Sequence, residues 1–310
     1  MHDTLAQQLK PLEATVDDNG DRKQAIREPI LVNLCDYDNV EYNIVIEQNE
    51  LDHIKFNVKL PCYKQIQSYG AETILHDTYK SHVSPGVTNG YDITLLLPLN
   101  DLSSYTPQYI DTIASIKTIV MSGVYIKYFN ELLSQHTPLS DALVYSQRND
   151  TIIYIIPKQD RVIVVYELDF TDSVDKAIAR IFMQEFVDSK RRLGAAPPVT
   201  FNELPPLELQ STFNKQNIAS TRLGYLSFAV MLNHVESGKI QQVATVLTYF
   251  RNYLQYHIKS SKTYFHARMR ARVVNTLKLL NRAKQQSVVQ SGDELKNKKT
   301  ISGKTFVRQP

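Results

Sequence analysis

The feature that most constrains this chain is the segment of residues 239–286, which contains neither glycine nor proline, the two residues that interrupt helices. Apolar side chains recur through it at steps of three or four residues, the spacing of one face of an amphipathic helix. They are Ile240, Val243, Leu247, Phe250, Leu254, Ile258, Phe265, Met269, Val273, Leu277 and Leu280, with Ser261 standing in the one longer gap. At 1.5 Å per residue, the predicted helix is about 70 Å long.

A helix of this length cannot bury its whole apolar stripe against its own domain. We therefore expect part of the stripe to contact a partner. The alternative is that the helix lies on the chain's own core, and this alternative suits the first half of the helix better than the second.

Charge is distributed unevenly along the chain. Residues 1–236 carry 20 basic and 30 acidic side chains, whereas residues 237–310 carry 15 basic and 2 acidic ones. A basic C-terminal arm indicates an anionic partner, which leaves nucleic acid, an acidic protein surface and anionic lipid as candidates. Four tyrosines lie among the basic residues of the helix, and aromatic and basic residues together suit either stacked bases or a protein interface. They are Tyr249, Tyr253, Tyr256 and Tyr264.

The low cysteine content and the lack of a secretory signal in the N-terminal segment both indicate a location inside the cell. Cys35 and Cys62 are the only cysteines, too few for a disulfide framework, so we expect a reducing environment. Residues 1–18 lack the continuous apolar core of a secretory signal, and no apolar run approaches the length that spans a bilayer. We expect a soluble protein of the cytoplasm.

The chain before the long helix predicts two similar halves, each with three strands, a helix, a further strand and a terminal helix. In the first half we predict a helix within 3–17, a loop over 17–27, strands over 30–35, 40–46 and 53–60, a helix over 62–80, a strand over 91–97 and a helix over 109–133. In the second half we predict strands over 142–146, 151–156 and 161–168, a helix over 173–193, an extended piece over 199–201 and a strand over 225–232.

These elements predict an α+β fold class. Strands that follow one another in sequence favour antiparallel pairing, so we expect two structurally related α/β domains, each a mostly antiparallel sheet with helices, and then the long C-terminal α-helix. The predicted parts are a first domain over 1–136, a second domain over 137–235, an interaction helix over 236–286 and a basic flexible tail over 287–310.

Two pairs of residues are of types that bind metal ions, but their positions in the sequence do not suit a metal site. Asp36 and Asp38 lie at a predicted hairpin turn, where Asp is favoured for the bonds that it makes to its own backbone. His257 and His266 are nine residues apart on the helix, whereas helical metal ligands are three or four apart. We expect turn and surface roles for these residues and no metal site.

Residues 302–305 (Ser-Gly-Lys-Thr) resemble the end of a phosphate-binding loop. Lys298 stands where the first glycine of that loop is required, and the chain offers no helix after it. No nucleophile elbow, Cys-x-x-Cys pair or glycine-rich dinucleotide turn occurs. We therefore expect no enzymatic activity and no cofactor, although an α+β enzyme stays a third alternative.

Several segments resemble one family, that of subunit 2 of the actin-related protein 2/3 complex. The specific ones are 182–186 (Phe-Met-Gln-Glu-Phe) with Arg191-Arg192, 205–209 (Pro-Pro-Leu-Glu-Leu), 253–259, 261–262, Tyr264, 266–271, 280–283 and 299–306. Residues 36–40 and 63–71 are similar more weakly, and residues 286–298 match poorly. The resemblance covers nearly the full length.

The resemblance implies a non-catalytic scaffold subunit of the actin cytoskeleton. In that family the subunit pairs with subunit 4 through antiparallel long helices, and the heterodimer forms the centre of an assembly with the other subunits, including the two actin-related proteins. The assembly nucleates a new filament as a branch on the side of an existing one. We expect no nucleic acid as a partner, and a basic-helix nucleic-acid-binding protein is the alternative from composition alone. The expected subunit 4 interface is Tyr253, Tyr256, Tyr264, Phe265, Met269 and Leu277.

The basic surface and tail are expected to contact the side of the existing actin filament. Actin is acidic, so opposite charge would steer the encounter. Phe306 is the only aromatic residue of the tail, and we expect it to contact the filament together with Lys299 and Lys304. The alternative for Phe306 is that it packs onto its own domain. Arg191 and Arg192, at the end of a predicted helix, are the second candidates for this surface.

Overall fold

The computed structural model describes most of the chain. The described residues are 2–9, 15–16, 22–23, 28–48, 50–99, 105–135, 139–148, 150–194, 196–213, 222–236 and 238–283. The chain divides into two units, Met1–Lys259 and Ser260–Pro310.

The first unit begins differently from the prediction. Helix α1 spans His2–Gln8, and a short antiparallel pair follows, β1 (Thr15–Val16) with β2 (Arg22–Lys23). The short helix predicted within 3–17 is confirmed at His2–Gln8, the strand Thr15–Val16 in the same range was not predicted, and the loop predicted over 17–27 is wrong at β2. Proline disfavours a helical conformation at the residue before it, and Pro11 follows α1 closely in the sequence.

The first sheet confirms the predicted strands and their antiparallel pairing. Its order is β3-β4-β5-β6, made of Ile30–Cys35, Glu41–Glu47, Glu50–Lys59 and Ile93–Pro98. A row of polar side chains crosses the sheet, because Asn43 donates to Asn33 at 2.7 Å, Asn57 donates to Asn43 at 2.8 Å and Thr94 donates to Asn57 at 2.8 Å. These residues are register partners, so the row satisfies polar groups that the sheet buries.

The helices of the first half are broken where the sequence predicted continuous ones. They are α2 (Tyr63–Ile66), α3 (Ala71–Tyr79), α4 (Pro107–Ala114) and α5 (Ile116–Ser134). The helix predicted over 62–80 breaks at Gly70, whose φ of 100° is left-handed. The helix predicted over 109–133 breaks at Ser115 and continues through Gly123. Gly70 and Gly123 lie against each other, and a Cβ on Gly70 would stand 2.6 Å from the Gly123 carbonyl oxygen.

The second half repeats the order of elements. Its strands are β7 (Leu143–Arg148), β8 (Thr151–Pro157), β9 (Arg161–Asp169), β10 (Val199–Asn202) and β11 (Arg222–Met231), and its helices are α6 (Ser173–Arg191), α7 (Leu207–Phe213) and α8 (Leu232–Val235). The sheet order is β10-β11-β9-β8-β7. In each sheet three consecutive strands are followed by a helix and by a strand that pairs with the third, β6 with β5 and β11 with β9. The two-part α+β class is confirmed, and α7 was not predicted.

One hydrophobic core within the first unit includes residues of both sheets and of the long helix α9 (Ile240–Ala283). Three fully buried tyrosines lie at its centre, and their hydroxyl groups are bonded. The Tyr125 hydroxyl lies 3.0 Å from that of Tyr145, and the Tyr166 hydroxyl donates to the Leu247 carbonyl of α9 at 2.7 Å. These bonds allow large aromatic side chains to be buried without leaving a polar group unpaired.

Candidate functional site

The part of α9 that belongs to the first unit buries the apolar stripe against the core. Leu247, Phe250, Leu254 and Ile258 are each exposed by 4% or less. The Phe250 ring lies 4.9 Å from that of Phe228 and 5.4 Å from that of Phe186 on α6. For the first half of the helix, packing on the chain's own core is therefore correct.

A charged residue, Arg251, lies on this buried face. Its side chain is 1% exposed, and Nη1 lies 2.7 Å from Asp38 Oδ1 in the β3–β4 turn. Nη2 donates to both carboxylate oxygens of Asp150, in the β7–β8 turn, at 2.9 and 2.8 Å, and Nε donates to Thr151 Oγ1 at 3.2 Å. One guanidinium thus joins a turn of each sheet to α9, because its three nitrogens bind Asp38, Asp150 and Thr151 separately.

Asp36 and Asp38 confirm the predicted turn. Asp36 Oδ1 accepts hydrogen bonds from the backbone N–H groups of Asp38, at 2.8 Å, and Val40, at 3.0 Å. Lys117 of α5 binds both carboxylates, at 2.6 Å from Asp36. Burial acts to raise the pKa of Asp38, but hydrogen bonds from Lys117 and Asn252, together with the charges of Lys117 and Arg251, outweigh it and lower that pKa. Asp38 is therefore an ionised member of this cluster, and Asp36 shares the Lys117 ammonium group with it.

An aromatic cluster lies between α6 and α9 in the first unit. The His257 ring stacks on Phe182, with centroids 5.4 Å apart, and lies 4.3 Å from the ring of Tyr253. Tyr253 is 46% exposed and Tyr256 is 68% exposed. The contacts of His257 are aromatic, so its role here is packing. Among the described residues, no group of three or more His, Cys, Asp or Glu side chains is placed to hold a metal ion.

In the second unit the apolar residues of α9 are exposed. Phe265, Met269 and Leu277 have 54%, 65% and 51% of their surface exposed. Residues 260–283 also carry six Lys or Arg and no Asp or Glu. An exposed apolar stripe of this extent marks an interaction surface.

The six predicted interface residues do not share one helix face. Successive residues of an α-helix are about 100° apart, so Tyr264 and Phe265 point in different directions. Met269 follows Phe265 after four residues and lies about 40° from it around the helix, whereas Leu277 follows after twelve residues and lies about 120° away. Tyr264 lies on another side, where its hydroxyl accepts a hydrogen bond from Arg268 Nη1 at 2.7 Å.

The predicted filament contacts are described only in part. Arg191 ends α6 and Arg192 caps it, both exposed, with Arg191 Nη1 3.6 Å from Asp188 Oδ1. Lys299, Lys304 and Phe306, and the resemblance of residues 302–305 to a phosphate-binding loop, lie outside the described residues.

Arg251 is the residue that sequence reasoning missed, since it was counted only among the basic residues of the helix. A signal was present: Arg251 is four residues after Leu247 and three before Leu254, so it lies on the buried stripe. A charged residue at such a position predicts carboxylate partners.

No helix in the described part of the chain combines the length and the apolar character that crossing a membrane requires.

Comparison with known proteins identifies the family. The model of a family described as Arp2/3 complex, 34 kD subunit p34-Arc, matches residues 56–287. The actin-related protein 2/3 complex subunit 2 of Dictyostelium discoideum is 29% identical over 273 residues, which cover 88% of this chain and 89% of that protein. The Schizosaccharomyces pombe protein of the same name is 29% identical over 297 residues, with 89% and 90% covered. The chain therefore belongs to the p34-Arc family of the Arp2/3 complex.

Proposed function

We propose that this chain is a non-catalytic scaffold subunit of the actin-related protein 2/3 complex, which supports nucleation of branched actin filaments from the side of an existing filament. Family membership supports this function, because the family model and both relatives are named for a subunit of that complex. The nucleic-acid-binding alternative is not favoured, since those names describe a protein assembly.

The observation that carries the proposal is the change in burial along α9. The stripe is buried at Ile258, in the first unit, and exposed at Phe265, Met269 and Leu277, in the second. Residues 260–283 contain six basic residues and no Asp or Glu of their own. The partner that we propose is subunit 4 of the same complex, paired through antiparallel long helices.

The test is expression of the chain alone and with subunit 4. Alone, the chain is expected to aggregate or self-associate through the exposed stripe, and with subunit 4 it is expected to form a soluble heterodimer. Light scattering after size exclusion distinguishes these states. A Met269→Glu, Leu277→Glu variant should lose the heterodimer, whereas the matched Arg191→Ala, Arg192→Ala variant should retain it. A monodisperse monomer over a wide concentration range would argue against the proposal.

We also propose that Arg191 and Arg192, together with the tail residues Lys299, Lys304 and Phe306, make the contact with the side of the actin filament. We propose that the chain has four parts, over residues 1–136, 137–235, 236–286 and 287–310. We also propose a cytoplasmic location at the actin cytoskeleton.

No catalytic activity is assigned to the chain, so Lys304→Ala should leave nucleotide binding by the whole complex unchanged. Reduced nucleotide binding in that variant would contradict the scaffold function.

A further inference from the structure

Three of the four edges of the two large sheets are protected against the addition of another strand. At β6, Val83 forms an antiparallel bridge with Leu95. At β7, the Ser146 backbone N–H donates to the side chain of Gln65 in α2 at 2.9 Å. At β10, the strand has only four residues and lies between two pairs of prolines. Covered, short and proline-flanked edges are the means by which proteins prevent strand addition.

The fourth edge, β3 (Ile30–Cys35), is open within the described part of the chain. It is six residues long, pairs with β4 without a bulge, and contains no lysine and no proline. Ile30, Val32 and Leu34 on its core side are only half buried, and Leu31 on the other side is 68% exposed. A flat, apolar edge strand of this length is a site where another strand can add.

The backbone groups of alternate β3 residues point towards the open edge. Asp36 lies opposite Val40, and its N–H donates to the Val40 carbonyl at 3.0 Å. Hydrogen-bonded pairs alternate along an antiparallel ladder, so Val32 and Leu34 direct their N–H and C=O groups towards β4. The residues whose N–H and C=O groups point the other way are Leu31, Asn33 and Cys35. No hydrogen bond from a described residue to these groups is present.

The polar row across the first sheet ends at this edge on a donor. Thr94 donates to Asn57, and Asn57 donates to Asn43. Asn43 then donates to Asn33 Oδ1, so every bond of the row runs in the same direction. Asn33 is exposed, and no described residue accepts a bond from its Nδ2 group. A strand that adds to β3 therefore continues the row with a side-chain oxygen opposite Asn33.

Charge at the ends of β3 distinguishes between two kinds of partner. Glu28 precedes the strand and is exposed, and Asp36 and Asp38 follow it in the turn. If two copies of the chain paired in antiparallel fashion around Asn33, position 28 would face position 38 of the second copy. Glu28 would find no opposite charge there, because Lys117 is already bound to both aspartates. A different chain with a basic residue at this place would be attracted to Glu28.

We propose that the open edge of β3 binds an extended segment of another polypeptide, which adds to the first sheet as an antiparallel fifth strand. The segment carries a residue with a side-chain oxygen opposite Asn33 and apolar residues that cover Ile30, Val32 and Leu34. It also carries a basic residue beside Glu28. The contact uses residues of the first unit only, and it is a different interaction from the pairing of α9 with subunit 4.

The test uses the full chain, purified with subunit 4, and a fluorescent peptide. The peptide has the sequence of residues 41–46 (Glu-Tyr-Asn-Ile-Val-Ile), the strand that already pairs with β3, followed by two lysines. In the register of β4, its Asn faces Asn33 and its last lysine faces Glu28. Two further peptides carry Asp or Leu in place of that Asn. Fluorescence anisotropy measures the Kd of each peptide.

The peptides with Asn and with Asp are expected to bind, and the Kd of the peptide with Leu should be about fivefold higher, because it cannot accept the bond from Asn33. Leu31→Pro removes an N–H that faces the open edge and none that β4 uses, so it should raise the Kd of the Asn peptide about tenfold. Circular dichroism checks that this variant keeps its fold.

A second variant tests the register. Asn33→Asp still accepts the bond from Asn43 but has no donor to offer. It should raise the Kd of the Asp peptide about fivefold, because two carboxylates then face each other, and change that of the Asn peptide little. The matched control, Asn89→Asp, places the same charge on an exposed turn and should change neither Kd.

Three results would overturn the proposal. The first is that the unchanged chain binds none of the peptides up to about 1 mM, which would mean that the edge is not open to another strand. The second is that Leu31→Pro leaves binding unchanged, because the peptide would then lie elsewhere. The third is self-association of the purified protein in sedimentation velocity that Leu31→Pro abolishes, which would assign the edge to a second copy of the chain instead.

Discussion

Arg251 and Asp38 form an ion pair that is almost wholly excluded from solvent, with Nη1 2.7 Å from Oδ1 and each side chain 1% exposed. The same guanidinium binds Asp150 through two hydrogen bonds. The carboxylates come from turns of different sheets, and the arginine comes from the first part of α9. The pairing therefore holds both sheets and the start of the long helix in one arrangement within the first unit.

Arg251→Ala is expected to lower the free energy of unfolding by about 3 kcal/mol, because Asp38 and Asp150 lose the guanidinium that joins them, although Asp38 keeps its bonds to Lys117 and Asn252. Arg251→Lys should be intermediate, since one ammonium nitrogen cannot reach Asp38, Asp150 and Thr151 from the separate positions that Nη1, Nη2 and Nε occupy. The control is Arg268→Ala, an exposed arginine of the same helix, with an expected change below about 1 kcal/mol. Urea denaturation of the heterodimer measures all three, and equal stability of the Arg251→Ala and Arg268→Ala variants would contradict the role given to Arg251.

We expect His234 to make the stability of the folded chain depend on pH. Its side chain is 7% exposed, and Nδ1 accepts a hydrogen bond from the Met231 backbone N–H at 2.9 Å. Burial, and then the charge of Lys239, lower the pKa of His234 below its ordinary value of 6.5. The unfolded chain therefore binds a proton at a higher pH than the folded chain, so the stability that His234 contributes is present above pH 6.5 and is lost as the pH falls below it.

The variant that tests this is His234→Asn, whose side-chain oxygen can accept the same bond without titrating. The unfolding free energy of the unchanged protein should fall more steeply than that of the variant between pH 7.5 and pH 5.5, two conditions that lie about one unit on either side of the ordinary histidine pKa. Parallel pH profiles would show that His234 does not contribute.

Gly123 is expected to tolerate no side chain. A Cβ there would stand 2.5 Å from Ile74 Cγ2 and 2.7 Å from the Gly70 carbonyl oxygen. Gly→Ala inside a helix ordinarily stabilises it by about 1 kcal/mol, but Gly123→Ala should destabilise by about 1–3 kcal/mol, because the close approach of α3 and α5 leaves no room. Gly86→Ala is the control, since nothing lies within 4 Å of the added carbon. A raised melting temperature for Gly123→Ala would contradict the predicted crowding.

The elements that the sequence predicted well have local signals. Strand β3 was predicted over residues 30–35, the bounds that it has, because a short apolar run ends at a turn-forming Asp-Tyr-Asp-Asn segment. The breaks in the helices have distant causes. Gly70 is left-handed where it meets Gly123, and that crossing depends on residues far apart in the chain. Helix α7 buries only Leu209 of its seven residues, too little for an apolar pattern to be recognised.

For the candidate site, the sequence likewise predicted the local features of α9 but not its burial or its distant contacts. The length, the stripe and the basic character of α9 all follow from composition and spacing, and so does the expectation that part of it meets a partner. The change in burial between Ile258 and Phe265 depends on where the core ends, which no local pattern records. The partners of Arg251 likewise come from turns that only the fold brings together.

The tail prediction concerns Phe306. Phe306→Ala is expected to weaken binding to the filament side and to lower branch density while complex assembly stays intact, because a buried anchoring aromatic contributes about 2 kcal/mol or more. A Lys299→Ala, Lys304→Ala variant should weaken the same binding through charge, and the loss should be larger at low salt. Branching assays measure both variants. Normal branch density in both at physiological salt would exclude the tail from the mechanism.

The last prediction concerns Arg191 and Arg192, at the C-terminal end of α6. Both are exposed, and the contact of Arg191 with Asp188 is long at 3.6 Å, so at most a weak surface pair would be lost by replacing them. Arg191→Ala, Arg192→Ala should therefore leave stability and the heterodimer unchanged but reduce co-sedimentation of the whole complex with actin filaments by several fold. The control, Arg161→Ala, removes a partly exposed arginine from the second half, one paired with Asp160 at 2.7 Å. If both variants co-sediment like the unchanged complex, the end of α6 is no part of the filament contact.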